Sequence, residues 1–236
     1  MNLIPEKGDV MKVPVVENVL KLNDELAQLN RQLLHQHGIF TLNLIGAPGC
    51  GKTALLEKTL RMMAEQYRFG ILVGDLTTQR DAERMSRFCD QVVQINTGKG
   101  CHLDANQVRQ GLGQLNLDEL DILIIENVGN LICPVGFDLG QDVKVGMFSV
   151  SEGDDKAAKH PYLVIEASVL LLNKCDLLPY VPFDLERFRK DVTSLNCRVD
   201  LFEISVLRDC LEPWTTWLQN ENRTLHSSFA LSSPAK

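Results

Sequence analysis

A chain of 236 residues, 44% hydrophobic and 23% charged, is long enough for one sizeable α/β core with terminal extensions and short for two independent domains. Its formal charge of −7 offers no basic face to a phosphate backbone, so nucleic acid is excluded as a partner. No apolar run approaches the ~20 residues that span a bilayer, residues 1–10 carry no signal-peptide core, and an odd seven cysteines do not make a disulfide framework, so the chain reads as cytoplasmic with no membrane partner.

In chain order, residues 1–15 read as an extension and residues 16–34 as an amphipathic helix: Val19, Leu22, Leu26, Leu29 and Leu33 recur in steps of three and four, and the pattern stops before Gly38. The apolar run 39–45 predicts a strand and residues 54–64 a helix. Between them stands Gly46-Ala47-Pro48-Gly49-Cys50-Gly51-Lys52-Thr53, the full Gly-x-x-x-x-Gly-Lys-Thr phosphate-binding loop. Strand before and helix after give the pattern a mechanism. Backbone N–H groups of Gly46, Gly49, Cys50, Gly51, Lys52, Thr53 and Ala54 close around phosphates, Lys52 reaches the outer ones, and the Thr53 hydroxyl binds magnesium. The chain is expected to bind a nucleoside triphosphate.

Further short β-like runs fall at 71–73, 92–95, 122–125, 169–172 and 201–204, most of them separated by helix-compatible stretches such as 79–88 and 103–115. This alternation predicts an α/β fold, a mainly parallel sheet flanked by helices on both faces, because parallel strands need crossover connections. Residues 16–219 form the expected domain, and the Ser- and Asn-containing residues 220–236 read as a mobile tail.

The strand ends carry the chemistry. Asn173-Lys174-Cys175-Asp176 follows the 169–172 run. A carboxylate held there accepts both hydrogen bonds offered by N1–H and the 2-amino group of guanine, a pair adenine lacks, so GTP is favoured over ATP. Asn173 would tie this turn to the phosphate loop and Lys174 lie along the base. Ser205 and Val206, after the 201–204 run, are placed at the guanine oxygen, although Leu207-Arg208-Asp209 departs from the small residues expected next. Asp75 and Glu126 bring carboxylates to the edge that holds Thr53, and magnesium needs only one or two of them beside Thr53 and the phosphates. Lys52, Asp75 and Glu126 are the candidate catalytic residues, and the Gly129 N–H is the candidate sensor of the γ-phosphate. The residue positioning the attacking water has no sequence signature here. Lys144, Lys156 and Lys159 read as a solvated face, with contact to nucleotide across a dimer as the alternative.

Cys101 and His102, in a glycine-flanked loop, and Cys133, beyond the Glu126 strand end, suit nickel or zinc better than magnesium. Two copies meeting face to face would complete such a ligand set. Three readings stay open on the residues alone: a GTPase with a metal site, a small-molecule kinase, and a metal-storage protein that uses nucleotide only for its fold.

Gly98-Lys99-Gly100-Cys101-His102-Leu103-Asp104-Ala105, the segments 126–130, 133–134 and 137–140, and Asn173 to Tyr180 together resemble the HypB family, over about residues 16–219. The urease accessory GTPase UreG is related but carries a different cysteine motif. The resemblance implies a slow GTPase of the signal-recognition and MinD-like class that inserts nickel into [NiFe]-hydrogenase. It further implies a homodimer when GTP-bound, nickel or zinc at the interface through Cys101, His102 and Cys133, a zinc-containing HypA-type partner, and the hydrogenase large-subunit precursor as client. Residues 1–21 hold neither cysteine nor histidine, so the N-terminal nickel-storage motif of many relatives is not expected. Cys175 stands at the free position of the guanine motif.

Overall fold

The computed structural model describes residues 15–75, 80–98 and 100–232. Along the chain run α1 (Val15–Gln36), β1 (Phe40–Gly46), α2 (Lys52–Met63), β2 (Phe69–Asp75), α3 (Arg80–Met85), β3 (Val92–Asn96), α4 (Ala105–Leu112), β4 (Ile122–Glu126), β5 (Val143–Ser149), α5 (Lys156–Lys159), α6 (Pro161–Glu166), β6 (Val169–Asn173), α7 (Leu185–Leu195), β7 (Asp200–Glu203) and α8 (Glu212–Ser232). The seven strands form one sheet in the order β3-β2-β4-β1-β5-β6-β7, and every neighbouring pair is parallel. From β1 the chain moves to one side for β2 and β3, returns to β4, then crosses β1 to β5. The phosphate loop at the carboxyl end of β1 thus sits where the strand order reverses, the place where such sheets bind ligands.

Alternation within the strands builds two covered faces, as a sheet of buried parallel strands requires. Leu42, Leu44, Ile71, Ile124 and Leu171 pack with Leu56 and Leu60 of α2 and Trp214 of α8. On the opposite face, Leu72, Leu123 and Ile125 meet α1 and α4 through Leu34, Val108 and Leu112. Beside them, Ile45, Phe148 and Leu170 meet Leu163 and Phe188 of α6 and α7. Asn30 fixes α1 by donating to the carbonyls of Ala105 (2.8 Å) and Leu139 (3.1 Å). Among the described residues, no helix is long and apolar enough to cross a membrane.

The parallel sheet flanked by helices is the predicted fold class. Two features differ from the sequence reading. Strand β5 carries Lys144 and Gly146, which interrupt its apolar run, yet it lies between β1 and β6. A Cβ on Gly146 would stand 2.5 Å from Leu170 Cδ2 and 3.2 Å from Leu163 Cγ, so glycine is what lets α6 close on the sheet. Lys144 is engaged internally, donating to the Val135 carbonyl (2.8 Å) and pairing with Glu166. The expected mobile tail is also different: α8 continues from residue 220 to Ser232, and buried Asn222 donates to the Asp121 carbonyl (3.1 Å). Trp214 and Leu218 anchor the helix, which its polar later turns conceal in the sequence. Residues 1–14 of the expected N-terminal extension and 233–236 of the tail lie outside the described residues.

Trp214 joins α8 to α2: it is fully buried, and Nε1 donates to Thr59 Oγ1 at 2.9 Å. Trp214→Phe keeps most of the apolar area and loses this bond, so it should cost ~1–2 kcal/mol in urea unfolding. The Thr59 hydroxyl still donates to the Leu55 carbonyl, which limits the loss.

Candidate nucleotide and metal sites

The phosphate loop owes its shape to its glycines. Gly51 has φ 110° and is the N-cap of α2, which has no side-chain cap, so its first-turn amides face outward to the cleft. A Cβ on Gly51 would lie 2.5 Å from Asn173 Nδ2, excluding any side chain. Lys52 is 8% exposed, and Nζ donates to the carbonyls of Gly46 (3.0 Å) and Ala47 (3.3 Å) along the inner wall of the loop. The Thr53 hydroxyl donates to Glu126 Oε1 at 2.8 Å. Asp75 ends β2, whose register sets Val73 beside Glu126, so its backbone reaches the same edge; its side chain lies outside the described residues. Gly129 abuts the loop, with Pro48 atoms 3.0–3.2 Å from where its Cβ would stand. A hydroxyl beside a carboxylate, oxygen donors only, fits magnesium. Lys52, Thr53, Glu126 and Gly129 line a cleft of about 400 Å³. Arg84 of α3 lines it too, held by Glu57 through Nε (2.9 Å) and Nη2 (2.7 Å). Arg84 was not legible as a site residue, because an arginine on a short helix carries no signature of its own.

A second cavity, about 430 Å³, shares Gly51 and Ala54 with the first, so one ligand can run through both. Leu177, Val206 and Leu207 give it apolar walls, and Asp176 and Lys174 give it charge. Asn173 is 2% exposed and joins three segments, donating to the Cys50 carbonyl (2.8 Å) and accepting from the Val206 N–H (3.2 Å). Lys174, with φ 62°, donates to the Gly49 carbonyl at 2.8 Å. Ser205 donates to the Asp176 carboxylate and so fixes its direction. The unexpected Leu207-Arg208-Asp209 forms a turn closed by the Ser205–Cys210 bridge and leaves Ser205 and Val206 in place. Burial pushes the thiols of Cys50 and Cys175 up to about 11, which makes both inert at neutral pH. Cys175 packs with apolar side chains behind the motif, away from the base cavity.

The ligating atoms of Cys101, His102 and Cys133, 32 positions apart in sequence at their extremes, all lie within 4.8 Å of one another, and this is the one such group among the described residues. Cys101 Sγ is 3.6 Å from His102 Nδ1. A hydrogen bond with the Cys133 thiol raises the Cys101 pKa, and burial lowers that of His102, leaving a neutral imidazole. The His102 ring stacks on Phe137, centroids 3.9 Å apart and planes 29° apart. Asp104, two residues on, closes the loop as N-cap of α4 in a reciprocal capping box with Gln107. Two sulfurs and one imidazole suit nickel or zinc and leave room for a further ligand.

Residues 40–203 match the family model of the CobW/HypB/UreG nucleotide-binding domain. A probable hydrogenase maturation factor HypB from Methanocaldococcus jannaschii is 42% identical over 192 residues, 81% of this chain and 87% of that protein. The chain belongs to the HypB family. The HypB crystal structure from Archaeoglobus fulgidus matches with a TM-score of 0.81 at 38% identity, covering 86% of this chain and all of that one. HypB from Helicobacter pylori in complex with nickel matches at 0.82 and 32% identity, covering 86% and 96%. The likeness seen in the sequence motifs therefore extends over the HypB fold as a whole.

Proposed function

We propose that this HypB-family chain is a GTP-hydrolysing nickel metallochaperone for [NiFe]-hydrogenase, in which GTP-dependent pairing of two copies gates a nickel site at Cys101, His102 and Cys133. The observation that carries the reading is the clustering of these three donors beside the 126–130 loop, whose Glu126 holds Thr53 of the phosphate loop. GTP enters the joined cavities with its base against Asp176 and its phosphates at the α2 N-terminus, where Lys52 and the Gly129 N–H face the γ-phosphate. Magnesium bound with it supplies neutralisation of phosphate charge, and Thr53, Glu126 and Asp75 are the residues that would hold it. Three ligands from one chain are completed across the pair, and hydrolysis loosens the interface and passes nickel, the cargo, to a HypA-type partner or the hydrogenase large-subunit precursor. The nickel in the H. pylori complex is consistent with that cargo.

Equilibrium dialysis against nickel, with mass measured by light scattering in the same samples, compares GDP with a non-hydrolysable GTP analogue. One nickel per dimer with the analogue and weaker binding with GDP is the expected result. Nickel binding that ignores the nucleotide, or that survives replacement of Cys101 and His102, would assign the GTPase another task.

A further inference from the structure

The metal-ligand segments are not free loops: two asparagines of the 126–130 loop hold them. Glu126 ends β4, and Asn127 continues its ladder by one residue, donating its N–H to the Leu44 carbonyl (3.0 Å), so the two side chains leave on opposite faces. Glu126 meets Thr53 at the nucleotide cleft. Asn127, 1% exposed, points the other way and accepts from the N–H of Leu103 (3.1 Å), the residue directly after His102. It also accepts from Val128 N–H (3.0 Å) and donates to Asn43 of β1 (3.1 Å), which fixes its rotamer. Leu103 is itself wedged against β2 on the α4 face of the sheet: its Cγ would lie 2.8 Å from a Cβ on Gly74, the residue before Asp75. Three residues on from Asn127, Asn130 donates to the Cys101 carbonyl (3.3 Å) and accepts from the N–H of Ile132 (2.9 Å), the residue before Cys133. One short loop therefore touches the phosphate loop at Glu126 and Gly129, and the backbone beside all three metal ligands at Asn127 and Asn130.

We propose that Asn127 and Asn130 are positioning residues that transmit the nucleotide state to the metal site, by setting the spacing of Cys101 and His102 against Cys133. The proposal rests on the metallochaperone reading and specifies its regulation. A shift of the 126–130 loop toward the γ-phosphate moves the Leu103 and Ile132 amides and the Cys101 carbonyl together, so both halves of the ligand set change at once. The ligands themselves are untouched. Such a relay alters the difference in nickel affinity between nucleotide states, whereas a residue that only supports a ligand alters both affinities alike. Phe137, stacked on His102 and outside the loop, is of the second kind.

The test measures nickel affinity with GDP and with the GTP analogue for the wild type and for Asn127→Ala, Asn130→Ala and Phe137→Leu. The wild-type ratio is expected in the range of about 5–150-fold found for coupled sites. Asn127→Ala should bring the ratio to within about twofold of unity while nickel still binds, and Asn130→Ala should reduce it several-fold. Phe137→Leu should weaken nickel in both states and keep the ratio. Asn130 is only partly buried, so its variant decides the matter even if the buried Asn127 change prevents folding. A wild-type ratio of one removes the metallochaperone gating and the relay with it. A normal wild-type ratio that persists in the Asn130→Ala protein, or in both asparagine variants, overturns the relay alone.

Discussion

Lys52→Ala is expected to cut GTP turnover by about 10²–10³-fold, the effect of removing one preorganised donor from a developing phosphate charge. The fold sets its ammonium beside the phosphate loop: 8% exposed at the first residue of α2, it lies against two loop carbonyls and lines the cleft. Stability should move far less, by about 1 kcal/mol at most, because the lost hydrogen bonds are offset by removing a cation from the positive end of a helix. Phosphate release with GTP and magnesium, beside a urea unfolding curve, separates the two effects. Turnover that survives the change would put the phosphates elsewhere. Nickel delivery to an acceptor should fall with turnover; delivery at the wild-type rate would favour the metal-storage alternative, in which nucleotide serves only the fold.

Local rules made the shapes of the phosphate loop and of the Asn173 to Asp176 turn legible. In the first, each glycine answers a backbone angle or a close approach within the segment, and in the second, Asn173 ends a fully buried strand from which Lys174 to Asp176 turn. Strand β5 was hidden because its two interruptions are explained only by distant partners, Gly146 by Leu163 and Leu170 and Lys144 by Val135 and Glu166. The same holds for α8, whose polar turns are helical because Trp214 and Leu218 are already docked. At the Cys101, His102 and Cys133 group, the residue types and the glycine-flanked loop were visible, but the 4.8 Å grouping depends on how the 126–130 loop folds back beside residue 101. The asparagines that achieve this look like ordinary loop residues in the sequence. Their significance lies in which backbone groups they bond, information that no spacing rule carries. Arg84 and Glu57 are a similar case, two charged helix residues whose pairing across α2 and α3 arises from packing.

Asp176→Asn is expected to lower GDP and GTP affinity by about 100-fold or more and to raise affinity for the xanthine nucleotides. A carboxylate offers two acceptors to the two donors on one edge of guanine, and each hydrogen bond to a charged group contributes about 1.5–3 kcal/mol. Asparagine replaces one acceptor with a donor. That side chain opposes the 2-amino group of guanine but matches the 2-carbonyl of xanthine, so the change reverses a preference where a disrupted fold would merely weaken binding. Ser205 makes the prediction sharper, since its hydroxyl donates to the same carboxylate and restricts its orientation between the apolar walls of Leu177 and Val206. Ser205→Ala should therefore weaken guanine nucleotides by about 10-fold without gaining xanthine, the loss of one orienting hydrogen bond. Titration calorimetry with GDP, XDP and ADP on the three proteins reads the pattern directly. If Asp176→Asn binds GDP as the wild type does, the base is not read at this motif, and wild-type protein that prefers ADP would return the chain to the kinase alternative.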